Sequence, residues 1–290
     1  MEATTKNRIK KPSQLGDILS RLWRNKSAMI GLVILLVLVF FAVFAEWVAP
    51  YNYAAQNLAD RFHSPDVQHL FGTDNLGRDI FSRVVHGTRI SLVVGIASVC
   101  LSAAIGIILG AIAGFYGGLF DNILMRIMDV LLAIPSLLLA ISIAATLGTG
   151  MQNLILAIGL GAAPGYARIV RASILSLKDQ EFVEAARSIG ASDFRIITSH
   201  ILPNCLAPII VQMTLGVASA ILSTASLSFI GLGIAPPTPE WGSMLSAGRQ
   251  YIRDAWYIVM FPGLAIVVTI FGLNMFGDGL RDALDPKLKN

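Results

Sequence analysis

Charge is what this chain of 290 residues has least of: Asp, Glu, Lys and Arg make up 14% of it, where a soluble domain carries roughly 25%. That scarcity excludes an ordinary water-soluble domain. A 55% apolar composition and a mean hydropathy of +0.69 point to an integral membrane protein. Cysteine is nearly missing. Cys100 and Cys205 lie in separate apolar runs, build no disulfide framework and read as small packing residues. The histidines, His63, His69, His86 and His200, are scattered without metal-ligand spacing. There is no Gly-x-x-x-x-Gly-Lys-Ser/Thr loop and no Gly-Lys pair, so the chain has no phosphate loop with which to hold ATP. No carboxylate sits near the middle of an apolar run; Asp129 and Asp278 lie toward inner ends and Glu46 toward an outer end. Ion-coupled carriers commonly place ionisable groups at mid-membrane. Their absence argues against a secondary transporter and suits a gate driven by a separate motor.

What is present is a series of charge-free windows, at 27–45, 90–120, 130–167, 201–239 and 255–277. A spanning helix needs about 20 apolar residues. The window 130–167 holds two helices, divided at Gly148-Thr149-Gly150. Pro203 and Pro208 precede the helix in 201–239, which a Gly/Pro cluster closes. The expected fold is all-α, with six transmembrane helices at about 27–48, 90–114, 124–147 (kinked at Pro135), 151–170, 208–231 and 257–277. The first reads as an uncleaved span, its apolar run exceeding the usual ~7–15 residues of a signal peptide. Lys and Arg set the orientation. Seven lie in the first 26 residues, and Arg126, Arg168, Arg171, Lys178, Arg187 and Arg195 fall on the same side. Both termini are therefore placed in the cytoplasm, and the basic balance reads as positive-inside bias, with no nucleic-acid partner. The chain divides into a cytoplasmic tail 1–26, whose second half has amphipathic spacing that suits the lipid interface, the first span 27–48, an extracytoplasmic segment 49–89, a five-helix core 90–280 and a tail 281–290. The small-residue stripe Gly106, Gly110, Gly114 suits close helix packing within the chain.

Inside the core lies a polar cytoplasmic insert, 172–207. Acidic residues at Asp179 and Glu181 start a helix. Phe182, Ala186 and Ile189 form an apolar stripe, and Gly190 fits the left-handed position that ends a helix. Ser192 or Asp193 caps a second helix, with Phe194, Ile197 and Ile201 on one side and Pro203 as its stop. Glu184 and Arg187 pair at i,i+3. A plain connector needs neither two helices nor an exposed Phe, so the element reads as a knob for a cytoplasmic partner.

Glu184-Ala185-Ala186, three residues, Gly190, then Leu202-Pro203 is similar to the cytoplasmic loop of the permease subunits of bacterial ABC importers. Three further motifs agree in order: Phe71-Gly72-Thr73-Asp74-Asn75-Leu76-Gly77-Arg78-Asp79 with Arg83, then Pro236 through Gly242 around Trp241, then Gly277-Asp278-Gly279-Leu280-Arg281-Asp282. The chain resembles permeases of the dipeptide, oligopeptide and nickel branch, most of all the C-type permeases of dipeptide importers. The resemblance implies a type I permease fold in a bacterial inner membrane. It also implies a homologous second permease, two cytoplasmic ATPase subunits that carry the ATP and Mg²⁺, an extracytoplasmic binding protein, and no cofactor or enzymatic activity on this chain. ATPase coupling falls to Glu184, Ala185, Ala186, Arg187, Gly190, Asp193, Leu202 and Pro203. The generic pattern has an apolar residue at His200.

Asp74, Arg78, Asp79, Arg83 and Arg89 suit salt bridges that hold the outer segment together. The alternative for Asp74, Arg78, Asp79, Arg83 and Trp241 is an extracytoplasmic gate or a contact with the binding protein. Ser142, Gln212 and Thr214 are the polar candidates for the substrate pathway. The expected function is import of di- or oligopeptides, with nickel, glutathione or another small peptide-like solute as alternatives.

Overall fold

The computed structural model describes residues 14–284, and among these no strand forms beyond an isolated bridge between Thr73 and Asp79. Helix α1 (Gln14–Arg24) leaves Leu19 and Trp23 exposed. Asn25 separates it from α2 (Lys26–Val43) and caps α2 by accepting from the Ala28 N–H at 3.2 Å. The short α3 (Ala45–Val48) completes the first apolar segment. Residues 1–13 and 285–290, which hold the rest of both tails, lie outside the described residues.

Helix α4 (Ile80–Tyr116) has 37 residues, about 55 Å at 1.5 Å per residue. It starts well before its charge-free window because Asp79 caps it, accepting from the Ser82 N–H at 2.7 Å. A charge ends an apolar run but not a helix, so 80–89 forms the first turns of α4. At Gly117 and Gly118, both with positive φ, the chain reverses into α5 (Gly118–Ala133), which is followed by α6 (Ser136–Leu147).

The expected third span, 124–147, is not a kinked rod: α5 and α6 meet at 91°. A residue before proline is driven out of the helical region, and Ile134 is extended, with φ −90° and ψ 128°. Among the described residues five helices are long and apolar enough to cross a membrane, and the bent pair makes a sixth crossing only if it serves as one.

Helix α7 (Met151–Leu175) carries Pro164 without breaking. The insert follows as α8 (Glu181–Ser188), α9 (Asp193–Arg195) and a π-helical turn, Ile196–Ile201, that runs directly into α10 (Leu202–Phe229). Pro203 therefore does not stop the second helix. The i→i−5 ring that Leu202 closes on Ile197 widens the turn just ahead of the proline, where a regular helix would clash with its ring. Pro208, expected to precede the fifth span, lies inside α10. Helices α11 (Trp241–Gly248) and α12 (Tyr257–Leu284) complete the chain.

The helices are held by close backbone approach. On Gly106 a Cβ would lie 2.3 Å from the Tyr166 Cβ, and on Gly110 2.5 Å from the Ala167 carbonyl oxygen, so the small-residue stripe of α4 packs against α7 within the chain. On Gly31 of α2 a Cβ would likewise lie 2.7 Å from the Gly272 carbonyl oxygen of α12. Three buried apolar clusters result. One surrounds Trp241 and Tyr257 near the start of α4, and one lies midway around Val99 and Leu154. The third, at the far end, joins Val170 and Ile174 of α7 to Val183, Ala186, Ile196 and Ile201 of the insert and Cys205 and Ile209 of α10.

Candidate coupling surface and outer clamp

The insert is built from an inner apolar face and an outer mixed one. Val183 and Ala186 of α8 are buried, the former 1% exposed, whereas Phe182 is 37% and Ile189 86% exposed. This corrects the expected Phe182–Ala186–Ile189 stripe. Val183 and Ala186, three apart, share the face toward the bundle. Ile189 is the C-cap, beyond the last regular turn.

The second half differs in a similar way. Ile196 and Ile201 are buried and Phe194 is 77% exposed. The π turn places residues five apart on one side, a period that helical spacing does not anticipate. Ser192 caps α9, accepting from the Arg195 N–H at 3.4 Å. Between the halves, Gly190 has φ 81°. Its N–H donates to the Arg187 carbonyl at 3.0 Å and the Ala191 N–H to the Ala186 carbonyl at 3.1 Å, the paired bonds of a Schellman motif.

Of the residues expected to couple, Glu184, Ala185, Arg187, Gly190, Asp193 and Pro203 are exposed, Leu202 is half-buried and Ala186 is buried. Among the described residues no ion pair joins Glu184 to Arg187. Phe182, Ile189 and Phe194, which the helical stripes would have turned toward one face, are exposed among charges, and Phe182 and Phe194 fit the expected exposed Phe; such a patch marks a docking surface.

Two ion pairs beside the insert were also missed. Arg171 of α7 binds Asp121 of α5 through two guanidinium nitrogens, one at 2.6 Å, and Arg168 binds Asp129 at 2.6 Å. Their signal was present, since each charge flanks an apolar window, but only the turn at Gly117 and Gly118 brings α5 back alongside α7.

At the opposite end of α4, Asp74, Arg78, Asp79, Arg83 and Trp241 are all buried. Asp74 accepts from the Leu76 and Arg78 N–H groups at 2.8 and 3.0 Å and pairs with Arg78 Nε at 2.7 Å. Arg83 Nε lies 3.8 Å from Asp74, and Arg83 Nη1 donates to the Tyr53 carbonyl at 3.0 Å. Asp79 also meets His69 Nδ1 at 2.9 Å. The Thr73 hydroxyl donates to the Asp60 carbonyl and accepts from the His63 N–H. Trp241 Nε1 donates to the Val84 carbonyl at 3.1 Å, with Gly87 beneath the indole, where a Cβ would come within 2.9 Å. Glu240 caps α11 through the Gly242 and Ser243 N–H groups, both at 2.8 Å. Burial pushes its carboxyl up, against those N–H groups, which favour the charged form. The cluster is an internal clamp whose charges face one another. Arg89 stands apart and is exposed.

Of the pathway candidates, the Ser142 and Thr214 hydroxyls bond their own helices, to the Leu138 carbonyl at 2.9 Å and the Ile210 carbonyl at 3.0 Å. Gln212 lines a cavity between α4, α6, α7 and α10.

A polytopic helical bundle with an apolar-rooted, partly apolar-tipped knob at one end belongs to the class of multi-pass membrane transport components. Residues 106–290 match the family described as binding-protein-dependent transport system inner membrane component, and residues 13–65 match the N-terminal TM domain of oligopeptide transport permease C. The Di/tripeptide transport system permease protein DppC of Pseudomonas aeruginosa is 47% identical, covering 96% of this chain and 94% of that relative. The Dipeptide transport system permease protein DppC of Alkalihalophilus pseudofirmus is 48% identical, over 94% and 90%. The Glutathione transport system permease protein GsiD of Escherichia coli O6:K15:H31 is also 48% identical, over 96% and 94%. Two inward-facing structures of the MetNI methionine ABC transporter share the fold. Their TM-scores are 0.55 and 0.57 at 20% and 19% identity, covering 70% and 71% of this chain and 96% and 98% of theirs. The chain belongs to the permease family of bacterial ABC importers, the inner membrane components of binding-protein-dependent transport systems.

Proposed function

We propose that this chain is the permease subunit of an ATP-driven importer of di- and oligopeptides, and that the insert 172–207 receives the stroke of partner ATPase subunits. ATP and Mg²⁺ act on those subunits, a homologous second permease completes the pathway, and an extracytoplasmic binding protein delivers the solute. The observation that carries this reading is the two-faced insert. Phe182, Ile189 and Phe194 point away from the bundle, while Val183, Ala186, Ile196 and Ile201 root the knob among α4, α7 and α10. A push on the tip therefore reaches three long helices through a packed core, which transmits strain because it is close-packed. Arg168, Arg171, Lys178, Arg187 and Arg195 around the insert support its cytoplasmic placement. Peptide as the solute is supported by the names of the relatives above. Glutathione is a second reading, supported by a relative at 48% identity.

The test is uptake of a labelled dipeptide, with glutathione in parallel, by vesicles holding the four membrane and ATPase subunits and supplied with binding protein. Uptake is expected to need ATP. Ile189→Asp with Phe194→Asp is expected to leave the permease pair in the membrane and to abolish co-purification of the ATPases. Retained ATPase binding by that variant would remove the coupling assignment.

A further inference from the structure

The cavity between α4, α6, α7 and α10 has no role in the coupling scheme, and its polar groups, set among apolar ones, are all uncharged. Its volume is about 180 Å³, several times the ~30 Å³ share of one water. Ser98, Ser102, Tyr166, Gln212, Ser219 and Ser223 line it, and no charged side chain does. Its floor is fixed. The Ser102 hydroxyl is held between the Ser98 and Gly159 carbonyls, both at 2.8 Å, and the Tyr166 hydroxyl donates to the Gln212 carbonyl at 3.2 Å. Ser98 is wholly buried, yet among the described residues its hydroxyl has no partner. A buried hydroxyl without a partner is costly, and this one stands in the cavity wall. The mouth lies where Ser219 is exposed. Gly165, also at the wall, has nothing within 4 Å of where a Cβ would stand, which leaves the cavity open at that point.

We propose that this cavity is a binding station for the transported solute, and that it takes the uncharged amide groups of a peptide backbone. Hydroxyls and a carboxamide both donate and accept, as an amide group does, and nothing in the lining selects a charged side chain. A station of this kind holds every peptide alike and leaves discrimination to the binding protein. The inference rests on the functional reading above.

The test uses the assembled importer in vesicles, with the dipeptides Ala-Lys and Ala-Glu as probes. A charge placed at the mouth acts on a passing charge of either sign. Ser219→Asp is expected to raise the Ala-Lys to Ala-Glu uptake ratio about fivefold over wild type, and Ser219→Lys to lower it about fivefold. Because each ratio is internal to one preparation, a loss of total activity does not disguise it. Gly165→Leu grows a side chain into open space and is expected to slow uptake of both probes while the complex still assembles. Wild-type ratios in both Ser219 variants, or wild-type uptake by Gly165→Leu, would overturn the station and leave a cavity that holds water only. If the wild-type complex shows no ATP-dependent peptide uptake, the functional reading falls, and the station with it.

Discussion

Gly190 shows how much one backbone angle can decide. At φ 81° a side chain is strained, although the space around the residue is empty. The cost of Gly190→Ala is therefore conformational, about 1–2 kcal/mol for a non-glycine residue in the left-handed region, and Gly190→Asn is expected to cost less. Limited proteolysis of the insert checks this: cleavage should rise in the Ala variant and rise less in the Asn variant. Asp74 is the opposite case, a residue defined by its partners. Asp74→Ala strands Arg78 and Arg83 in a buried site. Breaking a buried pair in this way costs about 3–5 kcal/mol, and the melting temperature of the detergent-purified protein should fall accordingly. Asp74→Ala melting like wild type would show that the clamp is dispensable. That Asp74 would pair with Arg78 and Arg83 was legible from their types and spacing, whereas Asp79 turned to His69 and Arg89 stayed apart. That Asp74, Arg78, Asp79 and Arg83 are buried was not legible, because a segment between two spans reads as solvated until Trp241 is seen to reach back to the Val84 carbonyl and Arg83 to the Pro237 carbonyl at 3.4 Å.

At the scale of elements, α7 meets two neighbours by two different means. The α4–α7 seam depends on absent side chains, and Gly106→Leu is expected to overpack it against Tyr166, at a cost of about 1–3 kcal/mol or more. The yield of monodisperse protein after extraction reads this out. The α5–α7 seam depends on charge: Asp121→Arg or Arg171→Asp alone is expected to weaken transport, and the two together to restore part of it. Failure of the double reversal to recover any uptake would show that these side chains act separately. The glycine stripe was readable because a period of four on an apolar helix has few other uses. Pro203 misled because a proline removes one donor and crowds one carbonyl, and a single π turn relieves both. The same turn set Ile196 into the core beside Ile201, with Ile197 only partly buried.

For the whole molecule, the order of the apolar helices followed from where charge is absent, since the bilayer tolerates little of it, but the sixth expected span is the bent pair α5–α6. Shape did not follow, because hydropathy measures length and is blind to direction. The bend at Ile134 and Pro135 is where the two diverge. Helices of 16 and 12 residues reach about 24 and 18 Å, short of a hydrocarbon core of about 30 Å. The break interrupts the hydrogen-bonded ladder at a place where Ile134, Leu137 and Leu138 are exposed. Lipid offers nothing to satisfy open backbone groups, so irregular backbone persists at membrane depth only under protein or beside water. This flank is accordingly an unfinished wall. The chain expressed without the second permease is expected to be degraded faster in the membrane than when the two are made together, and pulse-chase decay with and without that subunit measures it. On the proposed pairing with a second permease, part of this protein's folding free energy would reside in another gene product, and its native state would be that of the assembly.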